Sequence, residues 1–481
     1  MDPMPGRPDA AHMRSAMSSN LRSRSPTEAT VLAGAWTLLA LFALALAALL
    51  GRQSISLGVA LGGGVLLLTG LALVLARYDL AVYIGFLLLA VVLVEPAPSD
   101  ALFGLIMAVA AVTGRFGVRR LPRLAVWCVS GFLLLNLISA SEVIDWSSAA
   151  KFFLITLYLC MFSLWLGAYI DRPTRARRLV CAYLFTAVLS AVLASAALFV
   201  HFPFHTLLIG DGERAKGLFK DPNVYGPFLV PIILILAEEI LHPRLLRLRR
   251  SYMLACFLLL VLGVIFSYSR AAWLNLAIGL IVLIAVVTLR RPDRRAITLI
   301  LVVLVGAGAI AGAIVVTGSL GFLEQRARLQ SYDTSRFAAQ DRGLHVGLEH
   351  PFGLGPGQFE VISPVASHSL YIRSLSEQGV LGLLTIIVLV IGTMAFALVS
   401  VLRGRDTYGI SAAALLAAWC GLVANSFFVD TLHWRHLWLV AALIWAGAMR
   451  GRIAVPERMQ RSASLSPPPA SATLAGAPAA G

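Results

Sequence analysis

The chain has 481 residues, 59% hydrophobic and 13% charged, with a mean hydropathy of +0.85 and a formal net charge of +15. So few charges cannot cover the apolar surface of a soluble protein of this length, which excludes a water-soluble globular fold. The positive excess does not indicate nucleic acid, because the arginines sit in short clusters between apolar runs.

Residues 1–28 are polar, carry Arg7, Arg14, Arg22 and Arg24, and read as a disordered leader. A bilayer span needs roughly 20 mostly apolar residues, because its backbone must satisfy its own hydrogen bonds. Runs of this kind fall near 29–51, 54–76, 80–94, 101–114, 124–140, 152–170, 179–200, 224–241, 251–268, 271–289, 296–318, 378–400, 409–428 and 437–449. The first is too long for a signal-peptide core and reads as an uncleaved anchor. The runs at 80–94 and 101–114 are short, so the expectation is an all-α polytopic membrane helix bundle of about 12–14 transmembrane helices. It divides into N-terminal helices over 29–200, a core over 201–400, C-terminal helices over 401–450 and a Pro/Ala/Ser-rich tail over 451–481.

Alternating the spans puts most of the basic residues on one side. The clusters are Arg115/Arg119/Arg120/Arg123, Arg172/Arg175/Arg177/Arg178, Arg244/Arg247/Arg249/Arg250 and Arg290/Arg291/Arg294/Arg295, with smaller sets at Arg77, Arg403/Arg405 and both ends. The positive-inside rule makes that side the cytoplasm and puts both termini there. All five cysteines lie within apolar segments, with neither metal-ligand spacing nor an external pair to oxidise.

Function is expected on the opposite face, where two connections are long: 201–223 and 319–377. In the first, Asp221-Pro222-Asn223 reads as a helix cap and first turn, preceded by Arg214, Lys216 and Lys220; together they suit an anion site, or else an ordinary cap with interfacial basic residues. Between the spans 251–268 and 271–289, Ser267-Tyr-Ser-Arg270 leaves almost no loop. A guanidinium there is either functional or snorkelling to the interface. In the second long connection, Phe337, Leu344 and Leu348 recur at helical spacing in a segment that also holds Arg336, which predicts an amphipathic helix on the bundle or membrane surface. The turn-forming run Pro351–Gly357 comes next, and then His368 and Tyr371 at the start of another helix, with Arg373 and Glu377 beyond.

The order G-x-F-x-D-P-N-x-Y-G, S-x-S-R-A-A-W, a long loop with G-L-G-P-G, and H-S-L-Y-I-x-x-L-S-E-Q-G-V-L-G resembles the O-antigen ligase and polymerase family over roughly residues 200–400. These are bacterial GT-C-type glycosyltransferases of the inner membrane. The resemblance implies an undecaprenyl-diphosphate-linked glycan donor and a periplasmic site. The acceptor is the lipid A core for a ligase, or a lipid-linked repeat unit for a polymerase. It implies catalytic roles for Arg214, Arg270 and His368, with Lys216, Lys220, Asn223, Arg336 and Tyr371 as substrate contacts. The resemblance implies neither a cofactor nor a metal: metal-dependent relatives in the wider glycosyltransferase class carry an acidic pair in the first external connection, which here, near Gly51–Ile55, has no carboxylate. Ser369 stands where the family commonly has Asn. A transporter or flippase is the contrasting class, but it calls for charged residues along the spans at mid-membrane, which are scarce here.

Overall fold

A computed structural model describes residues 57–290 and 331–449, with residues 300–301 and isolated positions between 303 and 321; side chains are described from residue 63. The leader, the tail, the span expected at 29–51 and most of that at 296–318 lie outside the described residues. The rest is mostly helical. In chain order the helices are α1 (Leu57–Ala76), α2 (Tyr78–Leu87), α3 (Pro98–Val112), α4 (Arg123–Ile138), α5 (Trp146–Tyr169), α6 (Pro173–Phe199) and α7 (Pro222–Leu241). They continue as α8 (Arg250–Phe266), α9 (Arg270–Arg290), α10 (Ser331–Glu349), α11 (Phe359–Ile362), α12 (Leu370–Leu402), α13 (Ala412–Asn425) and α14 (Arg435–Met449).

Six of these helices are long and apolar enough to cross a bilayer, and six shorter apolar ones accompany them. This is a multi-pass membrane helix bundle. Helix α7 is its centre: every side chain from Tyr225 to Leu241 is buried, the signature of a helix apolar on all sides and wrapped by others. It carries Pro227 and Pro231 in its interior, which a membrane helix tolerates when neighbouring helices enclose it.

Helices α2 and α3 form a short hairpin. Its tip reaches the 201–223 segment, where the Val92 amide donates to the Leu218 carbonyl at 2.8 Å and Lys220 pairs with Glu95 at 3.3 Å. Its other end presents Arg77 and Arg115 to the start of α6. Both short runs therefore extend between the end of the bundle that carries residues 201–223 and the arginine-rich end.

Helix α12 is 33 residues long and breaks at Gly379 (φ 71°, ψ −169°). A Cβ there would lie 2.0 Å from the Pro351 carbonyl oxygen, so the position requires glycine. The break separates a nine-residue segment, Leu370–Gln378, from the apolar run expected at 378–400.

The amphipathic helix predicted around Phe337, Leu344 and Leu348 is α10, and small residues rather than these three form its face against the bundle. Phe337, Leu344 and Leu348 are 55%, 42% and 63% exposed, while Ala339, Gly343 and Gly347 face the bundle. A Cβ on Gly347 would come within 2.4 Å of the Leu375 side chain, and one on Gly343 within 2.4 Å of Ile372. Small residues let α10 approach α12 closely, as they do at helix contacts within membranes. The large apolar side chains are thereby turned outward.

Candidate active site

Residues 201–223 fold back on themselves in a two-residue hairpin, with Ile209 opposite Ala215 and Gly210 opposite Arg214. The hairpin delivers Arg214 to the start of α7. There Asp221 caps the helix by accepting from the Asn223 amide at 2.8 Å, as the Asp-Pro-Asn pattern predicts. Arg214 is then fixed from two sides: its Nε donates to the Ser267 carbonyl at 3.0 Å and its Nη2 to Asn223 Oδ1 at 2.8 Å. The turn holding Ser267 sits tightly on α7, since a Cβ on Gly226 would be 2.6 Å from Ser267 Oγ and 2.7 Å from Ala272 Cβ. The glycine of the D-P-N-x-Y-G motif thus admits the S-x-S-R motif.

That second motif is a helix-to-helix turn. Tyr268 takes a left-handed conformation (φ 47°), Ser269 Oγ accepts from the Ala272 amide at 3.4 Å, and Arg270 is the first residue of α9. The Arg270 guanidinium reaches α10, where Nη2 pairs with Asp333 Oδ1 at 2.5 Å. Asp333 is buried, so it orients the guanidinium rather than merely neutralising it at the surface. Arg214, Asn223, Tyr268, Arg270, Asp333, Arg336, Phe337, Gln340 and Phe428 line one open cavity of about 630 Å³. Three arginines from three separate segments converge on it. Among its described lining residues, the carboxylates are Asp211 and Asp333.

His368 lies beside this cavity rather than on its wall. Its carbonyl accepts from Gln340 Nε2 at 3.3 Å, and Gln340 is a lining residue. The backbone at His368 is also left-handed (φ 47°), a strained conformation for a residue with a side chain. Burial, followed by the charge of Arg336, pushes the imidazole below its ordinary value, against a smaller opposing pull from Asp430. Ser369 caps the next helix, accepting from the Ile372 amide at 3.5 Å while its hydroxyl donates to the Ser426 carbonyl at 3.3 Å. Capping is a task that Asn and Ser share.

The remaining expected contacts stand apart from the cavity. Lys220 is exposed and paired with Glu95, and Lys216 is half-buried in the hairpin. Tyr371 packs on Phe427, with ring centres 4.5 Å apart, and its hydroxyl donates to the Val423 carbonyl at 3.4 Å. The cavity thus gathers Arg214, Asn223, Arg270 and Arg336, adjoins His368, and leaves Lys216, Lys220 and Tyr371 outside its wall.

Beneath His368, Arg373 is 3% exposed and holds three carboxylates: Asp430 at 2.5 Å, Glu377 at 2.7 Å and Glu360. Glu377 Oε2 accepts in turn from the Gly357 amide at 2.9 Å, and the Leu354 and Gly355 amides donate to the carbonyls of Ser376 and Glu377. The G-L-G-P-G run is therefore a bracket around the first segment of α12. Gln358 extends it to the connection between α4 and α5, accepting from the amides of Ile144 and Asp145 at 2.9 and 2.8 Å. His433, beside Thr156 Oγ1 at 3.0 Å, is pushed down to about 4, mainly by burial.

Sequence reasoning missed Asp333, Gln340 and Phe428. A carboxylate 63 residues from its arginine carries no spacing signal, and Phe428 looked like the end of a span. The sequence model of the O-antigen ligase family matches residues 255–387. That range takes in Arg270, Asp333, Arg336, His368 and Arg373, and begins after Arg214 and Asn223. No curated protein matches the chain closely enough to count as a relative. The chain is thus a multi-pass membrane helix bundle in which residues 255–387 match the O-antigen ligase family.

Proposed function

We propose that the cavity holds the diphosphate of an undecaprenyl-linked glycan donor, and that the protein transfers this glycan to the lipid A core at the periplasmic face of the inner membrane. The observation that carries the reading is the convergence of Arg214, Arg270 and Arg336 on one open cavity. The match of residues 255–387 to the O-antigen ligase family supports the coarser statement, ligase- or polymerase-type glycan transfer from a lipid-linked substrate. The periplasmic placement rests on the arginine clusters at the opposite end of the bundle.

The reaction breaks the bond between the anomeric carbon and the diphosphate oxygen, which leaves with the electron pair. An acceptor hydroxyl oxygen forms the new bond to that carbon and gives up its proton. Negative charge develops on the departing diphosphate, and preorganised guanidiniums stabilise it more in the transition state than in the ground state. Arginine suits the task because its planar fork matches phosphate oxygens and stays charged. Positive charge fixed by protein side chains underlies the proposal that transfer proceeds without a metal. His368 is assigned the acceptor proton. A depressed imidazole is neutral at physiological pH and so available as a base, which favours this role over that of a further cation on the diphosphate.

The test is a product assay on purified protein, offering the lipid-linked repeat unit and lipid A core together. Glycan appearing on lipid A core supports the ligase reading. Lengthened lipid-linked chains with unmodified core would replace it with the polymerase reading. Absence of either product, with donor intact, would remove the function altogether.

A further inference from the structure

A second cavity, of about 1030 Å³, opens at the arginine-rich end of the bundle, far from the site above. Arg77, Arg115, Arg175, Arg177 and Arg178 line it, and Asp79 is the one carboxylate among its described lining residues. That carboxylate is already engaged, by Arg175 at 3.1 Å, Arg172 at 3.4 Å and the Tyr169 hydroxyl at 3.0 Å. Asp171 also meets Arg175, at 3.0 Å, from outside the cavity. Among the described residues, the five lining guanidiniums against these two carboxylates leave a positive excess of three, more than one phosphodiester neutralises. Two arginines are held by aromatic rings: Arg115 lies 5.2 Å from the Tyr78 ring centre and Arg175 lies 4.3 Å from that of Tyr169. Thr174 brings the N-terminus of the 27-residue α6 to the same cavity, and its dipole adds to the field.

The outward face of α6 indicates the kind of anion. Arg177 and Cys181 line the cavity, and the same helix face continues through Phe185, Leu189 and Val192, which are 57%, 40% and 45% exposed. A basic pocket thus runs directly into an exposed apolar stripe. Tyr78 and Tyr83, also lining it, are the amphipathic rings expected at a membrane–water boundary.

We propose that this cavity binds the phosphate headgroup of an anionic phospholipid, with an acyl chain along the Phe185–Val192 stripe, and that a two-phosphate headgroup fits it best. Basic pockets between membrane helices take such headgroups through charge-assisted hydrogen bonds. A soluble phosphate would meet the same guanidiniums but gain nothing from the stripe.

The experiment is native mass spectrometry of the full chain, delipidated in a neutral detergent. It is titrated with diphosphatidylglycerol, phosphatidylglycerol and phosphatidylcholine of matched acyl length, and with inorganic pyrophosphate. Diphosphatidylglycerol is expected to bind at least about tenfold more tightly than phosphatidylcholine. Arg177→Gln/Arg178→Gln should erase that preference, whereas Arg403→Gln/Arg405→Gln, exposed at the end of α12, should keep it. Phe185→Ser should weaken lipid but not pyrophosphate. Should the 177/178 variant fail to fold, Arg77→Gln makes the same comparison from an exposed position. Equal loss in the 177/178 and 403/405 variants would reduce the effect to diffuse surface charge. Pyrophosphate displacing the lipid at comparable concentration would make the site one for a soluble anion. Either result overturns the proposal.

Discussion

Arg270 and Arg214 differ in how they are held, and this sets their expected sensitivities. Arg270 projects from the first residue of α9 and pairs with the Asp333 carboxylate; Arg214 donates to a carbonyl and to an amide oxygen. Arg270→Lys keeps the charge but loses the planar fork, so turnover should fall by about 100-fold or more, with the protein still folded and inserted. Near-normal turnover in purified Arg270→Lys would make Arg270 an interfacial residue and no more. Asp333→Asn should lower turnover less, by about tenfold, because the guanidinium remains while its orientation loosens. His368 is read by its pH profile. Its pKa lies below the ordinary imidazole value, so the neutral base is lost only as pH falls through that lowered value. Turnover of the wild type should therefore be flat from about pH 7 to 8 and fall on acidification. His368→Ala should lose turnover, retain donor affinity and lack that acidic limb. A variant with normal turnover, or with weakened donor binding, contradicts the base assignment.

Among the elements, the bracket formed by residues 351–358 and the break in α12 place the histidine. Gly379→Ala puts a Cβ against the Pro351 carbonyl at a backbone conformation that only glycine adopts readily. A loss of about 2 kcal/mol or more is expected, visible as a lower thermal midpoint in detergent, and an unchanged midpoint would show that the break does not hold the bracket. These elements were partly legible in the sequence. The Asp-Pro-Asn cap and the Ser-x-Ser-Arg turn are local chemistry, and the structure has both where the pattern puts them. The packed face of α10 was not legible in the same way. Hydrophobic periodicity picks out Phe337, Leu344 and Leu348, whereas close approach to α12 selects for the absence of side chains at Gly343 and Gly347. The carboxylates around Arg373 come from α11, α12 and the segment after α13, a convergence that only the tertiary fold creates.

At the scale of the whole molecule, the bundle has two unlike ends. One carries the cavity of Arg214, Arg270 and Arg336; the other collects the arginine clusters, with Arg244 bound to Glu238 and Asp406. The proposed orientation, with the second end in the cytoplasm, follows the positive-inside rule. In a background with the five native cysteines replaced by serine, Asp211→Cys and Asp341→Cys should react with an impermeant thiol reagent in intact spheroplasts. Leu248→Cys and Pro292→Cys should react only after lysis. Labelling of Pro292→Cys from outside would reverse the orientation and move the transfer reaction to the other face.

The central claim is that the three-arginine cavity is where the donor diphosphate sits, and donor affinity tests it most directly. Binding of an undecaprenyl-diphosphate-linked glycan to the purified protein should weaken by about 100-fold or more in Arg214→Gln/Arg270→Gln. It should stay within about twofold of wild type in Arg403→Gln/Arg405→Gln at the far end of the bundle. Unchanged donor affinity in the folded Arg214→Gln/Arg270→Gln protein would contradict the account.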